Sequence, residues 1–186
     1  MYEKPIITSR LELHHIPVEG LISLFEDKDD RLAIDGRDIT NPYQNLITSP
    51  GPLAWRVPQV KENPQKNKWF VRFIVLASSR EIIGSTSFHG APDSSGMIEV
   101  GLGIEDAFQR QGFAKEALKG MWLWVCAFPE VKTLRYTVSP DNLASIKVIE
   151  YFGFKFMGQQ IDEIDGPENI YGESADSFRR KWGSQP

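Results

Sequence analysis

Residues 97–117 read MIEVGLGIEDAFQRQGFAKEA, and this stretch decides the fold. From Met97 to Ile104 the apolar residues alternate, so Ile98, Val100, Leu102 and Ile104 share one face of a strand and Glu99, Gly101 and Gly103 the other. An acidic turn, Glu105-Asp106, separates that strand from Gln109-Arg110-Gln111-Gly112-Phe113-Ala114. Helical spacing follows at once, with Ala114, Leu118, Met121, Trp122 and Val125 on one side. A glycine-containing turn that opens a helix leaves backbone N–H groups without intrahelical acceptors. Together with the positive end of the helix dipole, they form an anion site suited to a pyrophosphate.

Working outward toward the N-terminus, residues 81–88 read as a strand that enters this one through the turn-rich link of residues 89–96. Residues 69–77 (WFVRFIVLA) are apolar on nearly both faces, as in a central strand. The three strands form an antiparallel meander. Residues 31–68 hold Pro42, Pro50, Pro52, Pro58 and Pro64, which break any long element. Residues 6–14 read as a first strand, followed by a helix that opens at Pro17 and carries Val18, Leu21, Ile22 and Phe25. It ends in the charge run Glu26-Asp27-Lys28-Asp29-Asp30, which lacks the ligand spacing and glycine of a cation loop.

Toward the C-terminus, residues 133–138 form a strand parallel to the organising one, reached through a right-handed crossover over the helix of residues 112–127. A second helix spans residues 143–152 and stops at Gly153. Two last strands cover residues 155–161 and 169–174, with Gly166-Pro167 in their connection, and the basic tail from Phe178 has no clear element.

The spacing Gln109-x-x-Gly112-x-Ala114 after a strand resembles the acetyl-CoA-binding signature of the GNAT N-acetyltransferase superfamily. Asn142-Leu143-Ala144-Ser145 and Gly153-Phe154 resemble its second motif. Thr8-Ser9-Arg10-Leu11-Glu12-Leu13 resembles the opening T-x-R-L-x-L of the branch that holds the ribosomal-protein N-terminal acetyltransferases (RimJ/RimL-like). The resemblance is specific over residues 97–154 and loose over 31–68. It implies one α/β domain over residues 1–186, a twisted, mixed, mostly antiparallel sheet of about seven strands splayed in the middle, with helices on both faces. It also implies transfer of an acetyl group from acetyl-CoA directly to a primary amine, of a protein N-terminus or a small molecule. Part of residues 40–65 would then face the acceptor.

In that reading Arg110, Gln111, Gly112, Phe113 and Ala114 cradle the pyrophosphate, and the Gln109 and Arg110 side chains add contacts to it. The backbone of Leu102, Gly103 and Ile104 pairs with the pantetheine amides as a further strand would. Asn142 bonds the pantetheine arm, and Ser145 stands near the sulfur as proton donor or water holder. Both are also good first-turn residues for any helix. Glu99, ten residues before Gln109, is the expected general base: a polar exception in an apolar strand, where a carboxylate tends toward a raised pKa. The tyrosine that many members carry seven residues after the Asn is here Ile149, and Tyr151 would face elsewhere on the helix. That departure keeps a rival open, a non-catalytic acyl-CoA-binding sensor on the same fold.

Composition adds exclusions. A net charge of −4 and a pI near 5.4 argue against general nucleic-acid binding. No apolar run reaches the ~18 residues of a membrane span, and the first residues lack a signal-peptide core, so a cytoplasmic protein is expected. The single Cys126 excludes an intrachain disulfide and is expected to pack inside the following helix. His14, His15 and His89 are too scattered for a metal site, while Asp162, Glu163 and Asp165 form a surface acidic cluster. An exposed apolar element near the C-terminus would be the place for a homodimer to form.

Overall fold

The computed structural model describes residues 3–164 and 166–183; Asp165, the third member of the acidic cluster, lies outside them. The elements are β1 (Ile6–Ile7), β2 (Leu11–His15), α1 (Val18–Glu26), α2 (Arg31–Ile34), α3 (Leu53–Glu62), β3 (Arg72–Leu76), β4 (Glu81–Phe88), β5 (Met97–Ile104), α4 (Phe113–Val125), β6 (Thr133–Val138), α5 (Leu143–Phe152), β7 (Lys155–Asp162), β8 (Gly166–Ser174) and α6 (Ala175–Trp182). The strands follow the order β1-β2-β3-β4-β5-β6-β8-β7, mostly antiparallel, with β5 and β6 parallel. The chain falls into two compact units. One holds residues up to Ala91 with Gly101–Gly120; the other holds Pro92–Val100 with residues from Met121 on. Both β5 and α4 cross the division.

In the first unit the expected strand at residues 6–14 is two strands of a hairpin, Ile6 opposite Leu13 and Ile7 opposite Glu12, which makes eight strands rather than seven. Thr8 is the cause. Its N–H donates to Leu11 O (2.9 Å), and the Leu11 N–H donates back to Thr8 Oγ1 (3.1 Å), closing a tight turn. The proline-rich segment also departs from expectation, because it contains α3 with Pro58 inside it. Leu53, Val57 and Val60 fall on one helical face and are all buried, so tertiary packing overrides the missing N–H. Pro52 precedes α3, and Pro64 opens the 3-10 segment Pro64–Trp69, positions where a proline costs a helix nothing. That segment takes Trp69 out of β3, which starts only at Arg72. Gly20 permits α1 and α2 to touch: a Cβ there would lie 2.7 Å from Ala33 Cα.

In the second unit Met97, Ile98 and Glu99 pair with Thr133, Leu134 and Arg135. β8 begins at Gly166, so Gly166-Pro167 belongs to the strand and not to a connection. Pairing with β6 ends at Asn169, so Pro167 is bordered by β7 alone and no ladder bond to β6 is missed. The basic tail begins inside a helix, α6. Ser174 Oγ accepts from Ser177 N (3.4 Å), Asp176 sits in the first turn, and Arg179, Arg180 and Lys181 in the last. Its buried face, Ala175, Phe178 and Trp182, joins Trp122, Phe152 and Phe154 in one aromatic core, with Phe178 5.4 Å from Trp122 and 5.8 Å from Phe152 between ring centroids. Cys126 lies just beyond the end of α4 rather than inside it. It is buried and contacts Ala175 O at 3.4 Å, and burial pushes its thiol up to about 11, which leaves it inert.

Two outcomes follow from this packing. Phe178→Ala should cost about 3–5 kcal/mol of unfolding free energy by urea titration followed by tryptophan fluorescence; a loss under about 1 kcal/mol would show that α6 is not part of this core. The second concerns β2. Burial lowers the pKa of His14, against a hydrogen bond to Glu12 (2.7 Å), with Arg37 and Arg80 lowering it further. The contact is thus a neutral imidazole bonded to a carboxylate rather than a full ion pair. Burial likewise lowers His15, against its bond to Asn67 O, with Arg72 adding to the fall and Glu3 opposing it. Between the folded pKa values and the ordinary value near 6.5 the unfolded chain binds more protons. Stability should therefore be level above about pH 7.5 and fall as the pH drops below about 6.5. Equal urea midpoints at pH 7.5 and 5.5 would contradict this.

Candidate active site

The predicted site residues divide between the two units. In the first, the C-terminal half of β5 lies beside β4. Thr86 Oγ1 donates to Gly101 O (2.9 Å), and Glu105 N donates to Ile83 O (2.9 Å). The approach is close enough that a Cβ on Gly84 would lie 2.2 Å from Gly103 O. After a 3-10 turn at Asp106–Phe108 the chain bends back, and the Gln109 amide closes the bend. Its Nε2 donates to Ile104 O (3.0 Å) and to Asp106 Oδ1 (2.8 Å). Sequence reasoning gave Gln109 a direct phosphate contact; its amide hydrogens are instead engaged inside the turn. Gln111 Nε2 donates to Ala107 O (3.0 Å) in the same way.

Arg110 (φ 59°) and Gly112 (φ 85°) both take the left-handed conformation, so the loop coils tightly before α4 begins at Phe113. Glu116 N closes the first helical bond to Gly112 O (3.1 Å). The N–H groups of Gln111, Gly112, Phe113 and Ala114 have no acceptor among the described residues. Four backbone donors at the positive end of a 13-residue helix form a place for an anion.

In the second unit Glu99 is not the isolated carboxylate that its apolar strand suggested. The parallel register sets it opposite Arg135, whose Nε lies 3.2 Å from Glu99 Oε2. That N–H is not aimed at the oxygen, so the contact is an ion pair without a directed hydrogen bond. Thr137 Oγ1 donates to the other oxygen, and the Glu99 side chain is 12% exposed. Asn142 caps α5, its Oδ1 accepting from Ser145 N (3.1 Å). The Ser145 hydroxyl stands near that of Tyr136, a residue that sequence reasoning did not single out. Burial raises the Tyr136 phenol above its ordinary pKa; the nearby Ser145 hydroxyl opposes that, and the charge of Glu99 adds to it. Neither Tyr136 nor Arg135 carried a signal in the sequence, since the register of a parallel pair is set in three dimensions.

Ile149, at the position of the family's tyrosine, is fully buried, and Tyr151 is half-exposed and packs on Phe152 and Trp182. Among the described residues no group of three or more His, Cys, Asp and Glu is placed to hold a metal ion, and no helix is long and apolar enough to cross a membrane.

The model of the acetyltransferase (GNAT) domain matches residues 24–155, a range that runs through both units. An uncharacterized N-acetyltransferase of Bacillus subtilis, YjdG, is 31% identical over 151 residues, which cover 79% of this chain and 87% of that one. Among solved structures, the ribosomal-protein-S5-alanine acetyltransferase of Vibrio fischeri superposes with a TM-score of 0.66 at 15% identity, covering 95% of this chain and 99% of the other. RimL, the ribosomal L7/L12 α-N-protein acetyltransferase in complex with coenzyme A, superposes with a TM-score of 0.63 at 17% identity, covering 94% and 99%. At such identities these two structures establish a shared fold. The family match establishes more: the chain belongs to the acetyltransferase (GNAT) domain family and is an acyltransferase.

Proposed function

We propose that this acyltransferase moves an acetyl group from acetyl-CoA to a primary amine, of a protein N-terminus or a small molecule, by direct transfer. The observation that carries the reading is the set of four N–H groups at Gln111–Ala114 without acceptors, beside a glycine that leaves their approach open. These residues fit a pyrophosphate: the donors are backbone, so they are already oriented, and the helix dipole adds to them. Gln109 supports this through the shape of the bend, and Arg110 through the turn it adopts. The backbone of Leu102, Gly103 and Ile104 offers pairing to the pantetheine amides.

When bound, acetyl-CoA supplies a thioester carbonyl open to attack by an amine. Glu99 takes the proton that the amine must lose, directly or through a water, and Arg135 and Thr137 hold its carboxylate in one orientation. Ser145 stands next to the Tyr136 hydroxyl, so a proton delivered at the sulfur has a second hydroxyl behind it. The neutral phenol is the form that burial favours, which keeps that proton available near pH 7. Asn142 holds the start of α5, and with it Ser145, in place. Segment 40–65 is the proposed acceptor side. There Asn45 Nδ2 donates to Glu105 Oε1 (2.6 Å), and the Tyr43 ring stands edge-on to Phe108 at 5.4 Å, which joins this segment to the turn after β5.

The test is release of free coenzyme A from acetyl-CoA against a panel of small amines and N-terminal peptides, with coenzyme A binding measured by calorimetry. Turnover on one amine class establishes the reaction and its acceptor together. Binding without turnover across the panel would favour the sensor, and absence of binding would overturn the assignment of Gln109–Ala114. In the active enzyme Glu99→Gln should lower kcat by roughly 10²–10⁴-fold and leave coenzyme A affinity within a few-fold; an unchanged kcat would remove Glu99 as the base.

A further inference from the structure

The opening motif Thr8-x-Arg10 has no part in the chemistry above, yet the structure sets it against the loop before α4. Glu116, in the first turn of α4, is the centre of the contact. Its Oε1 accepts from Thr8 Oγ1 (2.6 Å) and from Arg10 N (2.6 Å), and its Oε2 pairs with Arg10 Nε (2.7 Å). Burial alone would raise the Glu116 pKa, but the bonds from Thr8 and Arg10 and the charge of Arg10 outweigh it and hold the carboxyl below its ordinary value. The rest of the guanidinium lies over the loop. Its Nη1 donates to Gln111 O (3.1 Å), and Cζ sits 4.3 Å from the centre of the Phe113 ring. A Cβ on Gly112 would be 3.5 Å from Nη2.

A guanidinium has five N–H donors in a planar fork. Glu116 takes the one on Nε, Gln111 O takes one on Nη1, and Nη2 has no acceptor among the described residues. A surface arginine held only for stability would be expected to leave its fork in bulk water. This one is fixed on three sides, with its remaining donors beside the N–H groups of Gln111–Ala114. Its side chain is 45% exposed, open to a ligand.

Resting on the coenzyme A reading above, we propose that Arg10 is a phosphate-binding and loop-positioning residue. Glu116 aims its fork so that Nη2 meets a phosphate of coenzyme A bound at Gln111–Ala114, while Nη1 holds the loop in its donor-presenting shape. A preset fork loses little freedom on binding, and its charge complements an anion that the backbone donors neutralise only in part.

Calorimetric titration of the full-length protein with coenzyme A, at low and high salt, tests this alongside thermal melting. Arg10→Gln should weaken coenzyme A by roughly tenfold to a hundredfold and flatten the salt dependence of its Kd, because one cation facing a phosphate is gone. Arg10→Lys, which keeps the charge and the stem, should fold and fall between that variant and the wild type. Glu116→Gln should weaken binding less than Arg10→Gln and keep the wild-type salt dependence. A variant pair with lowered melting temperatures and wild-type Kd and salt dependence would overturn the proposal and leave Arg10 as a structural clamp. If Arg10→Gln does not fold, wild-type affinity in Arg10→Lys overturns it equally. Failure of the wild type to bind coenzyme A is a different result, and defeats the underlying functional reading.

Discussion

The structure depends most on how the backbone is held between Ile104 and Phe113. Helix starts always leave N–H groups without intrahelical acceptors, and side-chain caps are the common solution. Here they stay open at Gln111–Ala114, and a set of side chains keeps them open. The Gln109 amide closes the bend onto Ile104 O and Asp106, the Gln111 amide reaches back to Ala107 O, and two left-handed residues set the coil. A carboxylate in the first helical turn, Glu116, fastens the β1–β2 turn to the same place. The two glutamine side chains of the segment are thus occupied with its shape, while the backbone donors stay open.

The same division of labour appears at Glu99. A carboxylate alone in an apolar strand would be free to turn, and its chemistry would depend on its burial. With Arg135 opposite it in register and Thr137 donating from the same strand, it has one orientation. Tyr136, between those two residues on β6, carries a hydroxyl that stands near Ser145. One strand therefore steadies the Glu99 carboxylate and stands behind the hydroxyl at the start of α5, although nothing in its sequence, TLRYTV, announces either contact.

Where sequence reasoning failed, the causes were specific. Residues 53–62 form a helix because three apolar residues at helical spacing meet a core, and that burial outweighs one missing hydrogen bond at Pro58. The tail signalled a helix locally, with Ser174 as cap, Asp176 in the first turn and three basic residues in the last, but its mean polarity hid the spacing of Ala175, Phe178 and Trp182. Thr8 split the first strand through a side-chain bond to its own backbone, a local effect that periodicity does not see.

The sequence by itself determined the parts whose signals are local. β4, β5, β6 and α5 have the bounds that alternation, turn residues and the Gly153 stop imply, and the spacing Gln109-x-x-Gly112-x-Ala114 pointed to the family. These follow from period, caps and backbone freedom, which are properties of a few neighbouring residues. Tertiary structure decided the rest: the Arg135 partner of Glu99, the Tyr136 partner of Ser145, and the contact of Arg10 and Glu116, 106 positions apart in the chain. Pairings of that kind arise from strand register and the packing of distant segments, and no short window of sequence contains them.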